Sequence, residues 1–373
     1  MARSQKGRKY VSGFLMFCLV IMLAVLALLV GAFISYSYVK NAQANLNSAM
    51  SESDDAWWLD IPPERQMYFE VPLGASTSAI ASRLEDAGLI DNQQIFKIMS
   101  KVNGYDGLYK PGTHIVSMDL GYEELMMVLI NRPEIIKVMI PEGVFSSQVY
   151  DLLIKSGLTN AGGVKEVVNK TEFDYEFLKG LPKRPDPLEG YLFPDTYEFD
   201  LGAQPEDIVA VMLRNFSNRV SEEYYERAEE LGMTMDQIIT LASIIEREAK
   251  DEEDRFVISG IFHNRLNSAD AGMRRLQSCA TVQYVFFKRN GIMLRTISDS
   301  DTRVADPYNT YQNEGLPPGP IGNPGLSSIR AALYPAETEY FFFVARGDGT
   351  HEFSNTYEEH LEAVQIYGRN LMS

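Results

Sequence analysis

The alternation of apolar and polar positions divides the chain before any motif is considered. From Phe14 to Ile34 runs a stretch of 21 residues, FLMFCLVIMLAVLALLVGAFI, without one charge. At about 1.5 Å of rise per residue it spans about 31 Å, the thickness of a bilayer's hydrocarbon core. The run predicts a transmembrane helix over 14–35. A cleaved signal peptide has a shorter apolar core, about 7–15 residues. Residues 36–66 are polar and mixed and close on Pro62-Pro63, which predicts a linker. Within it Trp57 and Trp58 either meet the lipid interface or pack on the first domain.

Past Met67 the pattern becomes that of short strands and helices, and it repeats. VPLGASTSAIASRLEDAGL from Val71 and IPEGVFSSQVYDLLIKSGL from Ile140 align without gaps at an offset of 69. Pro72/Pro141, Gly74/Gly143, Ser78/Ser147, Leu84/Leu153, Gly88/Gly157 and Leu89/Leu158 are identical. Each copy reads as a strand ending at Pro-x-Gly, a Ser or Thr cap, an amphipathic helix, and a Gly suited to the left-handed position after it. Between the copies, 96–102 and 122–130 have helical spacing and 112–116 reads as a strand. A strand–helix–helix–strand unit of this size resembles the LysM module, which binds the N-acetylglucosamine backbone of wall glycans. The other reading is a small α+β spacer that binds nothing. Residues 67–164 form this LysM-like region.

From 165 to 373 the texture changes. LEGYLFPDTYEF (Leu188–Phe199) is aromatic and broken by Pro194-Asp195. Helical periodicity follows at 205–217, 222–231, 234–250, 256–267, 278–288 and 327–333. Residues 340–345 read as a strand, Arg346-Gly347-Asp348-Gly349 as a turn and 351–354 as the return strand. Thr356 then caps a last helix. The fold class is α+β: an N-terminal transmembrane helix, the LysM-like module, and a mixed α+β catalytic domain.

Charge narrows the partners and sets the topology. The net charge is −17, and Arg3, Lys6, Arg8 and Lys9 stand without an acid in the first ten residues. The remainder therefore repels phosphate backbones, and no nucleic-acid partner is expected. The same basic cluster predicts a cytoplasmic tail at 1–13, with everything after 35 on the outer face of the cell membrane. Two cysteines, Cys18 and Cys279, and four scattered histidines offer neither a disulfide framework nor a zinc site. No cofactor is expected.

The helix at 234–250 is where chemistry first shows. Thr234-Met235-Asp236-Gln237 is a capping box, so its start is defined. Ile238, Leu241, Ala242, Ile245 and Ala249 share one face. Glu246 falls inside the apolar arc and Glu248 at its other margin, with Ser243, Arg247 and Lys250 on the polar side. A carboxylate in an apolar arc either pairs with an arginine, such as Arg255 or Arg265, or stays protonated with a raised pKa, as a general acid requires. Glycosidases ordinarily use two carboxylates across a cleft, and Glu246 and Glu248 project too far apart to be that pair. A single glutamate acting on a substrate that supplies its own nucleophile remains open. The second feature is DPYNTYQNEGLPPGPIGNPG (Asp306–Gly325), with four glycines and five prolines in twenty residues. Such a stretch forms neither a helix nor an inner strand. Its tyrosines, asparagines and rigid prolines suit an ordered binding wall.

Taken in order, LASIIEREA (Leu241–Ala249), LQSCATVQY (Leu276–Tyr284), PYNTY with GLPPGPIGNPG (Pro307–Gly325) and HEFSNTYEEH (His351–His360) resemble the endolytic murein transglycosylase, or YceG-like, family. LEGYLFPDTYEF matches the entrance to its catalytic domain, and the resemblance runs from about Val71 to the C-terminus. It implies an enzyme that cleaves the β-1,4 bond between N-acetylmuramic acid and N-acetylglucosamine in nascent glycan strands. The products end in 1,6-anhydromuramic acid, no water is consumed, and strand length is limited. The resemblance makes Glu246, the first glutamate of IIEREA, both acid and base. It places Gln277, Ser278, Tyr308, Asn309, Gly319 and Asn323 along the sugar cleft. It implies peptidoglycan strands, the cytoplasmic membrane and penicillin-binding synthases as partners. One departure stands out: Cys279-Ala280 follows LQS where the family often has an acid. The rival readings are a non-catalytic wall-binding scaffold and a hydrolytic muramidase using a second acid such as Asp306 or Glu314.

Overall fold

The computed structural model describes residues 16–31, 61–131, 133–158, 163–170 and 173–367. The tail at 1–13 and most of the linker at 36–66, Trp57 and Trp58 included, lie outside them. Of the predicted membrane span, residues 16–31 form a helix whose positions are all exposed. No helix among the described residues is long and apolar enough to cross a membrane. The remaining chain is mixed α and β and divides into two compact units, Met1–Glu134 and Ile135–Ser373.

The first unit follows the predicted order: β1 (Met67–Val71), α1 (Thr77–Asp86), α2 (Gln93–Val102), β2 (Gly112–Val116) and α3 (Tyr122–Ile130). β1 and β2 pair antiparallel, from Met67 opposite Val116 to Val71 opposite Gly112. The Ser76 hydroxyl accepts the Ala79 N–H and the Asn92 side chain accepts the N–H groups of Gln94 and Ile95, so both helices start at capped ends. Phe69, Val71, Ile80, Leu84, Phe96, Leu125 and Leu129 form the core.

The second unit opens with β3 (Ile135–Met139), which pairs antiparallel with β4 (Thr196–Asp200), Met139 opposite Thr196. Between them lie α4 (Ser146–Lys155) and α5 (Gly163–Lys170). After β4 come α6 (Pro205–Arg219), α7 (Glu222–Glu230), α8 (Met235–Glu248), α9 (Glu252–Leu266), α10 (Cys279–Asn290) and α11 (Leu326–Leu333). A hairpin, β5 (Phe342–Ala345) with β6 (His351–Ser354), and α12 (Tyr357–Tyr367) complete it.

The repeat is real in the backbone. Gly74 and Gly143 both take φ +74°, and Gly88 and Gly157 take +70° and +82°. The copies differ at the cap: Phe145 stands where Ser76 stood, and Gln148 instead accepts the Phe145 N–H at 2.9 Å. They also belong to different units. The strand of the second copy bonds to β4, and Phe145, Val149 and Leu153 join the core of the second unit. The region read as 67–164 therefore spans the division between units at 134/135.

α8 is the axis of that core. Ile238, Ile239, Leu241, Ala242, Ile244 and Ile245 have no exposed surface, and Ser243, expected on a polar side, is also buried. From Ile238 to Ile245 the helix is buried on every side, and Ser243 spends its hydroxyl internally. It donates to Thr240 O at 2.7 Å and accepts the Ile321 N–H at 2.9 Å.

Candidate active site

Three segments interlock around α8: the Pro-x-Gly turn of the second repeat, the Glu189–Leu192 stretch, and the Gly319–Gly325 loop. Asn323 joins them. Its side-chain oxygen accepts the N–H groups of Gly190 (3.1 Å) and Leu192 (2.9 Å), and its amide donates to Val144 O (3.0 Å). Its backbone bonds both ways, accepting from Gly143 N–H and donating to Val144 O. Close approach explains Gly190: a Cβ there would lie 2.6 Å from Pro320 and 2.9 Å from Ile239. Beneath this clamp, buried Glu189 accepts from the Ser146 N–H, the Ser146 hydroxyl and the Tyr284 hydroxyl. Burial pushes its pKa up to about 7.

The two glutamates of IIERE have different surroundings. Glu246 is 6% exposed in its side chain. Oε1 faces Arg255 at 3.4 Å and Oε2 accepts the Gly325 N–H at 3.0 Å, at the start of α11. A Cβ on Gly143 would sit 3.3 Å from its Cγ. Glu142 lies near enough that burial, and then the Glu246 charge, raise its pKa. Glu246 is thus paired and enclosed, the arrangement expected of a structural ion pair.

Glu248, the last residue of α8, lines a cavity of about 400 Å³. The Ser278 hydroxyl donates to its Oε1. The wall continues through Arg265, Gln277, Cys279, Tyr311, the β5 strand and His351. Arg265 is buried and donates to the carbonyls of Phe341, Arg275 and Leu276. Burial lowers its pKa to about 10, so it stays charged at neutral pH. Tyr311 O–H and Cys279 Sγ are 3.1 Å apart, and burial raises both pKa values. Gln277 has φ +53°, the one non-glycine positive φ among the described residues, and donates its N–H to Thr310 O. A left-handed non-glycine residue stores about 1–3 kcal/mol, and such positions gather at ligand sites.

Two larger grooves, of about 840 and 800 Å³, lie near the start of α8 and beside Leu178–Leu188. Their carboxylates are already paired: Glu176 and Asp174 with Lys179, Asp236 with Arg184. Of the six cleft residues expected from sequence, Gln277 and Ser278 come to the Glu248 cavity. The other four are placed differently. Tyr308 packs its ring 5.0 Å from that of Tyr284, and burial raises its pKa to about 12. Asn309 is fully buried and donates to the carbonyls of Thr302 and Val304. Gly319 gives room to the buried Arg184 guanidinium, whose Cζ would be 3.0 Å from a Cβ. Asn323 is the clamp described above. Sequence reasoning missed Tyr311, Arg265 and His351 as wall residues. The PYNTY and HEFSNTYEEH motifs held two of them in plain view.

Comparison with known proteins agrees with this architecture. The signature of the YceG-like family matches residues 69–366. A Bacillus subtilis protein named endolytic murein transglycosylase is 32% identical over 80% of this chain and 83% of its own length. A Streptococcus pneumoniae protein of the same name is 29% identical over 91% of this chain, which spans 63% of that longer relative. The crystal structure of a YceG-like protein from Listeria monocytogenes superposes with a TM-score of 0.54 at 32% identity, covering 80% of this chain and 98% of that one. With the family signature running from β1 into α12, the chain belongs to the YceG-like family.

Proposed function

We propose that this chain is a lytic transglycosylase of peptidoglycan and that Glu248, in preference to Glu246, is its acid and base. One observation carries the reading: Glu248 is the one carboxylate among the described residues lining the cavity. Hydrolysis by the usual route needs a second carboxylate across the cleft. A reaction in which the sugar attacks itself needs only one. Protonated Glu248 donates to the glycosidic oxygen between N-acetylmuramic acid and N-acetylglucosamine. As a carboxylate it then takes the proton of the muramic C6 hydroxyl while that oxygen closes on C1. Ser278, donating to Oε1, fixes the rotamer and leaves Oε2 to carry the travelling proton. Asp306 and Glu314, the acids a muramidase reading would recruit, are paired with Arg289 and Arg274 instead.

The names of the relatives support murein as the substrate. The apolar run Phe14–Ile34 behind four basic residues supports a single-pass anchor with the N-terminus inside, beside the synthases whose strands the enzyme would shorten. The βααβ first unit suits a LysM-like glycan contact. Mass spectrometry of digested glycan strands tests the chemistry. Anhydro ends weigh one water less than hydrolysis products, so products carrying that water would make the enzyme a muramidase. Protease applied to spheroplasts tests the topology: the catalytic unit should be degraded and a short membrane fragment spared.

A further inference from the structure

The HEFSNTYEEH segment places His351, the first residue of β6, in the wall of the Glu248 cavity. The ring is fixed from behind. Asp254, in the first turn of α9, accepts the backbone N–H of His351 at 2.8 Å and meets its ring Nδ1 at 2.9 Å, both through Oδ2. Oδ2 already accepts the backbone N–H, so Nδ1 donates to it as well, and the tautomer with its hydrogen on Nδ1 has its lone pair on Nε2. The two side chains are 7% and 14% exposed, and Phe343 and Phe353 hold the imidazole with ring centroids at 5.7 and 6.3 Å. His351 lines the cavity and Asp254 does not. The Nδ1 edge is therefore turned away from the cavity, and the Nε2 edge is the one left for a ligand.

Several other polar groups of the wall are committed. Arg265 spends Nε and Nη1 on three carbonyls, Tyr311 meets Cys279, and Ser278 donates to Glu248. Glu248 must give one proton and take another from a different atom of the sugar. Ser278 holds Oε1 and the travelling proton occupies Oε2, so any further hydroxyl or N–H of the sugar needs another acceptor in the wall.

We propose that His351 is a second sugar-contacting residue: its Nε2 accepts a hydrogen bond from a hydroxyl or acetamido N–H of the glycan held against Glu248. Asp254 is the positioning residue that sets its tautomer. The proposal rests on the Glu248 reading, and the competing role is a staple between α9 and β6.

The test uses the full chain acting on uncross-linked glycan strands, with His351→Ala, Asp254→Asn and Glu248→Gln side by side. His351→Ala should lower kcat/KM about 10- to 100-fold, the loss expected when a hydrogen-bond partner of the bound sugar is removed. Added imidazole should restore part of that rate, and should not restore Glu248→Gln. Asp254→Asn keeps an acceptor oxygen for the His351 backbone N–H and Nδ1 but loses the charge, so the ring 15N shifts should report a smaller share of the Nδ1–H tautomer while circular dichroism stays native. Its kcat should fall about 10-fold. Wild-type turnover by folded His351→Ala overturns the proposal. So does a lowered melting temperature with activity that imidazole does not restore, which assigns the pair to packing. An active Glu248→Gln beside an imidazole-rescued His351→Ala sinks the assigned acid and leaves His351 standing.

Discussion

Asn323→Ala separates a clamp from a sugar ligand. The substitution removes the acceptor of two buried donors, Gly190 N–H and Leu192 N–H. Val144 O is not orphaned, because the backbone N–H of residue 323 still reaches it at 2.9 Å. Each unsatisfied buried donor costs about 1–3 kcal/mol, so the loss is about 2–6 kcal/mol before any cavity penalty. Native domains hold about 5–15 kcal/mol in all, so much of the margin is at stake. At a urea slope of about 2–3 kcal/mol per molar, the midpoint should fall by about 0.7–3 M. Both tryptophans of the chain, Trp57 and Trp58, lie outside the second unit. Far-UV circular dichroism of its helices is therefore the suitable probe. A wild-type midpoint combined with weakened glycan binding would refute the clamp and return Asn323 to the cleft.

The paired glutamates should dissociate: Glu248→Gln loses about 10²–10⁴ in kcat with little change in melting. Glu246→Gln, which weakens the contact with Arg255, loses about 1–3 kcal/mol of stability and keeps most of its turnover. Equal kinetic losses in both would contradict the assignment. Gly319→Ala drives a methyl into Arg184, which is pinned on Asp236, and should lower stability by about 1–3 kcal/mol in thermal melts. An unchanged melting temperature would mean that Arg184 swings free. Glu189 has its pKa raised from 4.5 to about 7 on folding, so the folded state binds its proton more tightly. Its contribution is favourable below about pH 4.5 and is lost as pH rises to 7, by about 3 kcal/mol. Glu189→Gln should escape that decline, and parallel stability-versus-pH curves would rule it out.

Much of the fold was legible because local chemistry decided it. The capping box at Thr234 starts α8 where expected, and the Arg346–Gly349 turn makes the hairpin. The paired glycines of the repeat adopt the same left-handed φ in both copies. The site was less legible. A helical wheel presumes one buried face, but α8 is buried on all sides from Ile238 to Ile245, so a position inside the apolar arc does not indicate the cavity. Glu248 owes its access to standing at the helix end, where α10 and β6 meet it. An asparagine in a Pro/Gly loop looks like a ligand donor. That Asn323 serves backbone groups 131 to 179 residues away depends on pairings no local pattern records.

Those same distant partners set an order of assembly. In the first unit β1 meets β2 within about 50 residues, so it is complete as soon as α3 has emerged during synthesis. The second unit begins with a strand whose partner lies some sixty residues on, and its clamp waits for residue 323. Contacts of such separation demand loop closure before they return any stability, and chains that rely on them fold slowly. Until Gly319–Gly325 arrives, Gly190, Leu192 and Val144 present unpaired backbone groups and α8 lacks one wall. The glutamate that would cut glycan is thus seated only after residues 319–325 have been made, and a chain truncated before residue 319 should be an easy target for proteases.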